Sequence, residues 1–144
     1  MENFIYSSGK TSLINGILNL LEDDIKIALV TDKYEPKYDP YNCLDTVFSD
    51  IKDEVQGIGY VAGGKKLVNK RIKTGKKGNV IFTADSVTWK ESTFSTRAAI
   101  LYQDTGNKDT SILIAYIDFM ENQEIDNLDF TIEWNNKEVF ELRD

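Results

Sequence analysis

Leu13, Ile14, Ile17, Leu18 and Leu21 recur at the three-and-four spacing of a single helix face. The pattern predicts a helix over about residues 12–21, started by Ser12 or Thr11 as a side-chain cap. Gly16 falls inside it, at a cost of roughly 1 kcal/mol relative to alanine. Glu22, Asp23 and Asp24 end the run, and residues 25–31 follow as a strand. Leu44, Val47, Phe48, Ile51 and Val55 return to helical spacing, which predicts a second short helix over about residues 44–54. Between the two lies a polar, aromatic stretch, residues 33–42, holding Pro36 and Pro40. Each proline forces an extended residue before it, so this stretch is a loop.

Beyond Gly57 the period shortens. Residues 67–73, 80–82, 87–89 and 96–102 read as strands, with turns at 74–79 and 104–107. Residues 112–119 are apolar at consecutive positions, as in a central strand covered on both faces. Leu128, Phe130, Ile132 and Trp134 alternate with polar residues, so that strand has one wet face. Asn135-Asn136 is a hairpin turn into a last strand at 139–142. Helices come first and strands afterwards, without β-α-β alternation. The expected architecture is mainly β, α+β by count of elements. It is an antiparallel β-sandwich or open barrel with an N-terminal helix and a second short helix. Residues 1–144 are expected to form a single domain.

Composition narrows the chemistry. The chain has 144 residues, a net charge of −7 and no histidine. Histidine-based triads and histidine-ligated zinc are therefore excluded. The acidity disfavours nucleic acid as a partner. Cys43 is the lone cysteine, so no internal disulfide is possible, and it reads as a small apolar filler. No apolar run is long enough to span a membrane. The start, Met1-Glu2-Asn3, lacks the basic segment of a secretion signal, which predicts synthesis in a cytoplasm.

Gly9-Lys10-Thr11 imitates the end of a phosphate-binding loop. Phe4 stands where the first glycine of that loop belongs, and no parallel sheet is predicted, so residues 8–12 read as a polar helix start. Asp23, Asp24, Asp32, Glu35 and Asp39 lack calcium-loop spacing and read as a solvated surface. No carboxylate pair stands out for glycoside chemistry. No catalytic residue, metal ligand or cofactor is expected, and the chain is read as not an enzyme.

Two features suit partner contact. Lys65, Lys66, Lys70, Arg71, Lys73, Lys76 and Lys77 concentrate positive charge in an acidic chain. They read either as a solvated hairpin or as a dock for an acidic protein surface, a neighbouring copy included. No aromatic lies among them to stack on bases. Tyr34, Tyr38 and Tyr41 sit in the proline-containing loop, either as an exposed interface or folded down as a lid.

One resemblance spans nearly the whole chain. It rests on the order and spacing of Gly57-Ile58-Gly59-Tyr60-Val61-Ala62-Gly63-Gly64, Val87-Thr88-Trp89 with Ser92-Thr93-Phe94, and Arg97 through the Asp104-Thr105-Gly106 turn. Leu113 to Phe119 and Phe130-Thr131-Ile132-Glu133-Trp134-Asn135 complete it. This series resembles small structural proteins, minor head or tail components, of tailed bacteriophages and prophages. The resemblance implies a virion part without catalytic residues, with Trp89, Phe94 and Trp134 in the core and Arg97 as an ion-pair partner. The basic 65–77 segment and the long 33–42 loop depart from the family pattern.

The expected function is decoration or cementing of the capsid shell, against the major capsid protein or other virion proteins, as a homo-oligomer. A neck, tail or fibre-attachment role is the alternative. A host-surface binding module that uses the tyrosine loop is a further one.

Overall fold

The computed structural model describes residues 3–36, 45–134 and 139–142. Its elements are β1 (Phe4–Ile5), α1 (Ser7–Ile14), β2 (Ile25–Val30), β3 (Lys65–Lys66), β4 (Arg71–Thr74), β5 (Val80–Thr83), β6 (Val87–Gln103), β7 (Leu113–Ile132) and β8 (Phe140–Leu142). They form two antiparallel sheets, one ordered β1-β7-β6-β2-β3 and one ordered β4-β5-β8. The fold is mainly antiparallel β with one helix, sandwich-like, as the pattern of the sequence predicts.

The larger sheet is buried on both faces. Ile25, Ile27 and Leu29 alternate with Ala28 and Val30 along β2, and Ala99 and Leu101 alternate with Ala98, Ile100 and Tyr102 along β6. The first set joins Trp89, Phe94, Phe82 and Phe130 in the main core, which also takes in residues of the smaller sheet. The second set packs under Tyr6, Tyr34, Phe48 and Tyr116. Strands covered on both sides read as continuous apolar runs, which accounts for the pattern at 25–30 and 113–116.

Four expectations need correction. The first helix runs over Ser7–Ile14, not 12–21, and Tyr6 precedes it without a side-chain cap. Gly9 lets it lie on β7, because a Cβ there would stand 2.8 Å from the Ile114 carbonyl oxygen. Gly16 adopts φ +81 and ends it, so Ile14 is left 88% exposed. The helix-like spacing continued past the stop because Leu18 and Leu20 return to the core from a turn.

The second helix, predicted over 44–54, is only a 3₁₀ turn at Phe48–Asp50 among the described residues. Its flanks are extended: Val47 bridges Ile112, and Glu54 bridges Val30. Phe48 enters one core cluster and Val55 the other, so their spacing reflects two faces rather than one.

The strand predicted over 67–73 is split. β3 and β4 lie in different sheets, and Asn69, at φ 54, carries the chain between them. Conversely, the separate strands predicted at 87–89 and 96–102 are one strand of 17 residues, β6, and those at 112–119 and 128–134 belong to β7, of 20 residues. Register shifts break the alternation between Trp89 and Phe94 and between Thr96 and Ala98. Glu91, Met120 and Asn127 take positive φ along the same ribbon. The Asn135-Asn136 turn and Cys43 lie outside the described residues.

Candidate functional site: charged partner surfaces

The basic segment does not form one patch. Lys65 and Lys66 are exposed on β3, the edge of the larger sheet. Lys66 Nζ lies 2.7 Å from Asp24 Oδ1, and that hydrogen bond, with the lysine's charge, holds the Asp24 carboxyl below its ordinary pKa. Lys70 turns back to the Asp23 carbonyl oxygen. Burial lowers its pKa, against the opposing pull of Asp24. Arg71 donates to the Asn69 carbonyl at 2.9 Å and stands 3.7 Å from Asp85 Oδ1. Three of the five predicted contact cations are thus engaged by the chain itself. Among the described residues, Lys65 and Lys73 have no ion pair, nor do Lys76 and Lys77 at the β4–β5 turn.

Tyr34 follows the lid reading. It is 6% exposed, and its hydroxyl donates to Asp45 Oδ2 at 2.8 Å and shares a 2.8 Å hydrogen bond with the Tyr6 hydroxyl. Tyr38 and Tyr41 lie outside the described residues. With Tyr34 turned inward, that residue is withdrawn from any exposed tyrosine interface.

Beside Tyr34 a cleft of about 210 Å³ is walled by Tyr116, Asp32, Glu35 and the Arg97–Asp118 pair. Arg97 Nε donates to Asp118 Oδ1 at 3.0 Å. Burial pushes the Asp118 carboxyl up. Hydrogen bonds from Arg97 and the Met120 amide outweigh it, and the net shift is downward. The pair ties β6 to β7 where Ala98 faces Asp118, and the ion-pair role implied for Arg97 fits this geometry. Among the described residues no group of three or more metal-ligating side chains is placed to hold an ion, and no helix is long and apolar enough to cross a membrane.

The residues of the Gly57–Gly64 stretch form a strap. Ile58 pairs with Thr93 where β2 has ended, so the strap continues the sheet beside β6. The Tyr60 hydroxyl accepts the Leu29 N–H at 3.0 Å and donates to Glu54 Oε2 at 2.5 Å. The same Glu54 oxygen accepts the Gly63 N–H at 2.7 Å, and the Tyr102 hydroxyl donates to the Gly63 carbonyl. The turn after β6 is closed by Asp104 Oδ1 accepting the Gly106 N–H at 2.9 Å. That bond and then Lys26, 3.0 Å away, lower the Asp104 pKa.

Sequence reasoning missed a second charged surface. The outer half of the β6–β7 ribbon carries Glu121, Glu124, Asp126 and Asp129, all exposed and none in an ion pair among the described residues. The stretch reads as a polar loop because bulges destroy its alternation. The available signal was its freedom from glycine and proline over 113–134, a length that few loops reach. No family model, curated protein or solved structure matches this chain.

Proposed function

We propose that this chain is a non-enzymatic structural protein of a bacteriophage virion that decorates or cements the capsid shell. The reading is supported by the resemblance drawn above and by the work its residues do in the fold. The Gly57–Gly64 strap closes the sheet over β6, Arg97 joins two strands, and Asp104 closes a hairpin. These are scaffold roles, and a family defined by scaffold residues suits a part that binds by surface rather than by reaction.

A shell-binding part is used in many copies. Weak contacts then gain strength by repetition on the lattice, so no single tight pocket is required. The partner is the major capsid protein or another virion protein, with the exposed lysines of β3 as contact groups. A neck, tail or fibre-base position is the alternative within the same class.

Quantitative mass spectrometry of purified particles tests the reading. Decoration gives a copy number equal to the shell protein's or a fixed simple fraction of it. A number matching one ring of subunits moves the protein to the neck or tail. Absence from particles overturns the virion reading.

A further inference from the structure

Among the strand edges of the described residues, two differ in charge and carry apolar side chains. Among the described residues, β4 pairs only with β5, and its other edge is open. All four of its residues are exposed. Lys73, Lys76 and Lys77 have no ion pair among the described residues and give this edge and its turn positive charge, and Ile72 and Val80 add apolar surface, 48% and 42% exposed. On the larger sheet, β1 among the described residues pairs with β7 at Ala115 and Tyr116. Farther out, β7 meets β6 at Gln123, Glu124, Ile125 and Leu128, and among the described residues no strand pairs with its other side there. That edge carries four exposed carboxylates with no ion pair among the described residues, although Glu124 accepts the Ser95 hydroxyl and Asp129 the Glu91 N–H. It is flanked by Met120 and Leu128, 63% and 61% exposed.

We propose that these edges are the two halves of one interface: the basic β4 edge of one copy docks on the acidic outer edge of β7 in the next. An open strand edge invites pairing, and charged side chains decide which pairing is allowed. Two β4 edges repel, and so do two β7 edges. β4 against β7 brings opposite charges together with apolar side chains on both sides, whereas β3, the other basic edge, is two residues long and its Lys66 is already paired with Asp24. The positive φ of Met120 and Asn127 kinks the acidic edge at its ends and leaves 121–126 between them, longer than the four residues of β4. The two halves are different surfaces, so the contact is head-to-tail and builds a ring or an open row rather than a two-fold dimer. This inference rests on the surface chemistry alone and is independent of the virion reading.

The test uses the purified chain in sedimentation velocity at low and high salt. One triple variant carries Lys73→Glu, Lys76→Glu and Lys77→Glu. A second carries Glu121→Lys, Glu124→Lys and Asp126→Lys. The wild type is expected to associate with rising concentration, and to do so less as salt screens the charges. Each variant alone is expected to associate roughly tenfold or more weakly. An equimolar mixture of the two is expected to recover association, because each supplies the charge the other has lost. A wild type that stays monomeric at low salt overturns the proposal, as does a mixture no more associated than its parts. If circular dichroism shows either triple variant unfolded, Lys73→Gln with Lys77→Gln and Glu121→Gln with Glu124→Gln replace them. Each neutral pair is expected to weaken association and flatten its salt dependence, and unchanged association in both overturns the proposal.

Discussion

Tyr60 shows how a single side chain can complete a sheet. Among the described residues β2 pairs with β3 only at Lys26 and Ile27, and the Leu29 N–H meets the Tyr60 hydroxyl rather than a strand carbonyl. The Tyr60 hydroxyl accepts that N–H and donates its own O–H to Glu54. Leu29 is fully buried, so removing the hydroxyl strands a backbone donor away from water. Tyr60→Phe is therefore expected to lower stability by about 2 kcal/mol, measured as a shift in the urea midpoint with unchanged slope. Glu54→Gln keeps an acceptor for the tyrosine and is expected to cost less. Equal losses from both would place the stabilisation in the Glu54 charge rather than in the Leu29 donor. At this scale the sequence identifies which residues belong together but not what they do. Tyr60 stands out in the glycine-rich stretch by its neighbours, whereas its target lies 31 residues away in the chain. Tyr34 is similar: a tyrosine in a proline-containing loop reads equally as exposed or buried until Tyr6 and Asp45 are placed beside it.

Elements were legible where one period persists and obscured where the backbone changes hand. β2, β5 and the start of β7 follow from their apolar runs, since both faces of those strands meet side chains. The helix ends were missed because Gly16 stops α1 through its conformation, which hydrophobic spacing does not record. The long ribbon was missed because its bulges reset which face each residue occupies. Of the candidate site, the sequence shows the concentration of cations. Their division between two sheets, and their pairing with Asp24 and Asp85, depend on the crossing at Asn69, which no local pattern encodes. Gly64 and Gly16 separate two reasons for a glycine. Both have positive φ, near +77 and +81. A Cβ on Gly64 would sit 1.9 Å from the Ile27 carbonyl oxygen, whereas one on Gly16 meets nothing within 4 Å. Gly16→Ala is expected to cost about 1 kcal/mol for the left-handed backbone alone. Gly64→Ala adds the forced retreat of the strap from β2, for about 2–4 kcal/mol in all. Thermal denaturation of the two variants side by side checks the difference, and equal losses would show that the strap yields to the new methyl group.

The whole molecule places its titratable hazards on the alkaline side. Tyr34, Tyr60, Tyr102 and Tyr116 all have pKa values raised above the ordinary 10.0, in each case first by burial. Carboxylates nearby add to the shift: Asp45 for Tyr34, Glu54 for Tyr60, Asp104 and Glu54 for Tyr102, and Asp118 for Tyr116. A raised folded pKa means that the folded chain keeps a proton the unfolded chain releases. The contribution is complete below about pH 10 and is lost as pH rises beyond it. Tyr34, Tyr60 and Tyr102 carry the largest shifts. Together they remove roughly 4 kcal/mol by about pH 11, comparable with the entire stability of a small domain. The acid side differs in sign and position. Asp24, Asp104 and Asp118 have lowered pKa values, so their contributions hold above about pH 4 and fade only as pH falls through the folded values. The protein is thus expected to keep its urea midpoint from about pH 5 to 9 and to lose it steeply above pH 10, with phenolate absorbance appearing in the same step as unfolding. Tyr60→Phe and Tyr34→Phe, though less stable at neutral pH, are each expected to show a shallower alkaline slope by one proton. Slopes that match the wild type would assign the alkaline loss to the lysines instead, and phenolate absorbance rising before unfolding would show the hydroxyls to be open to solvent in the folded state.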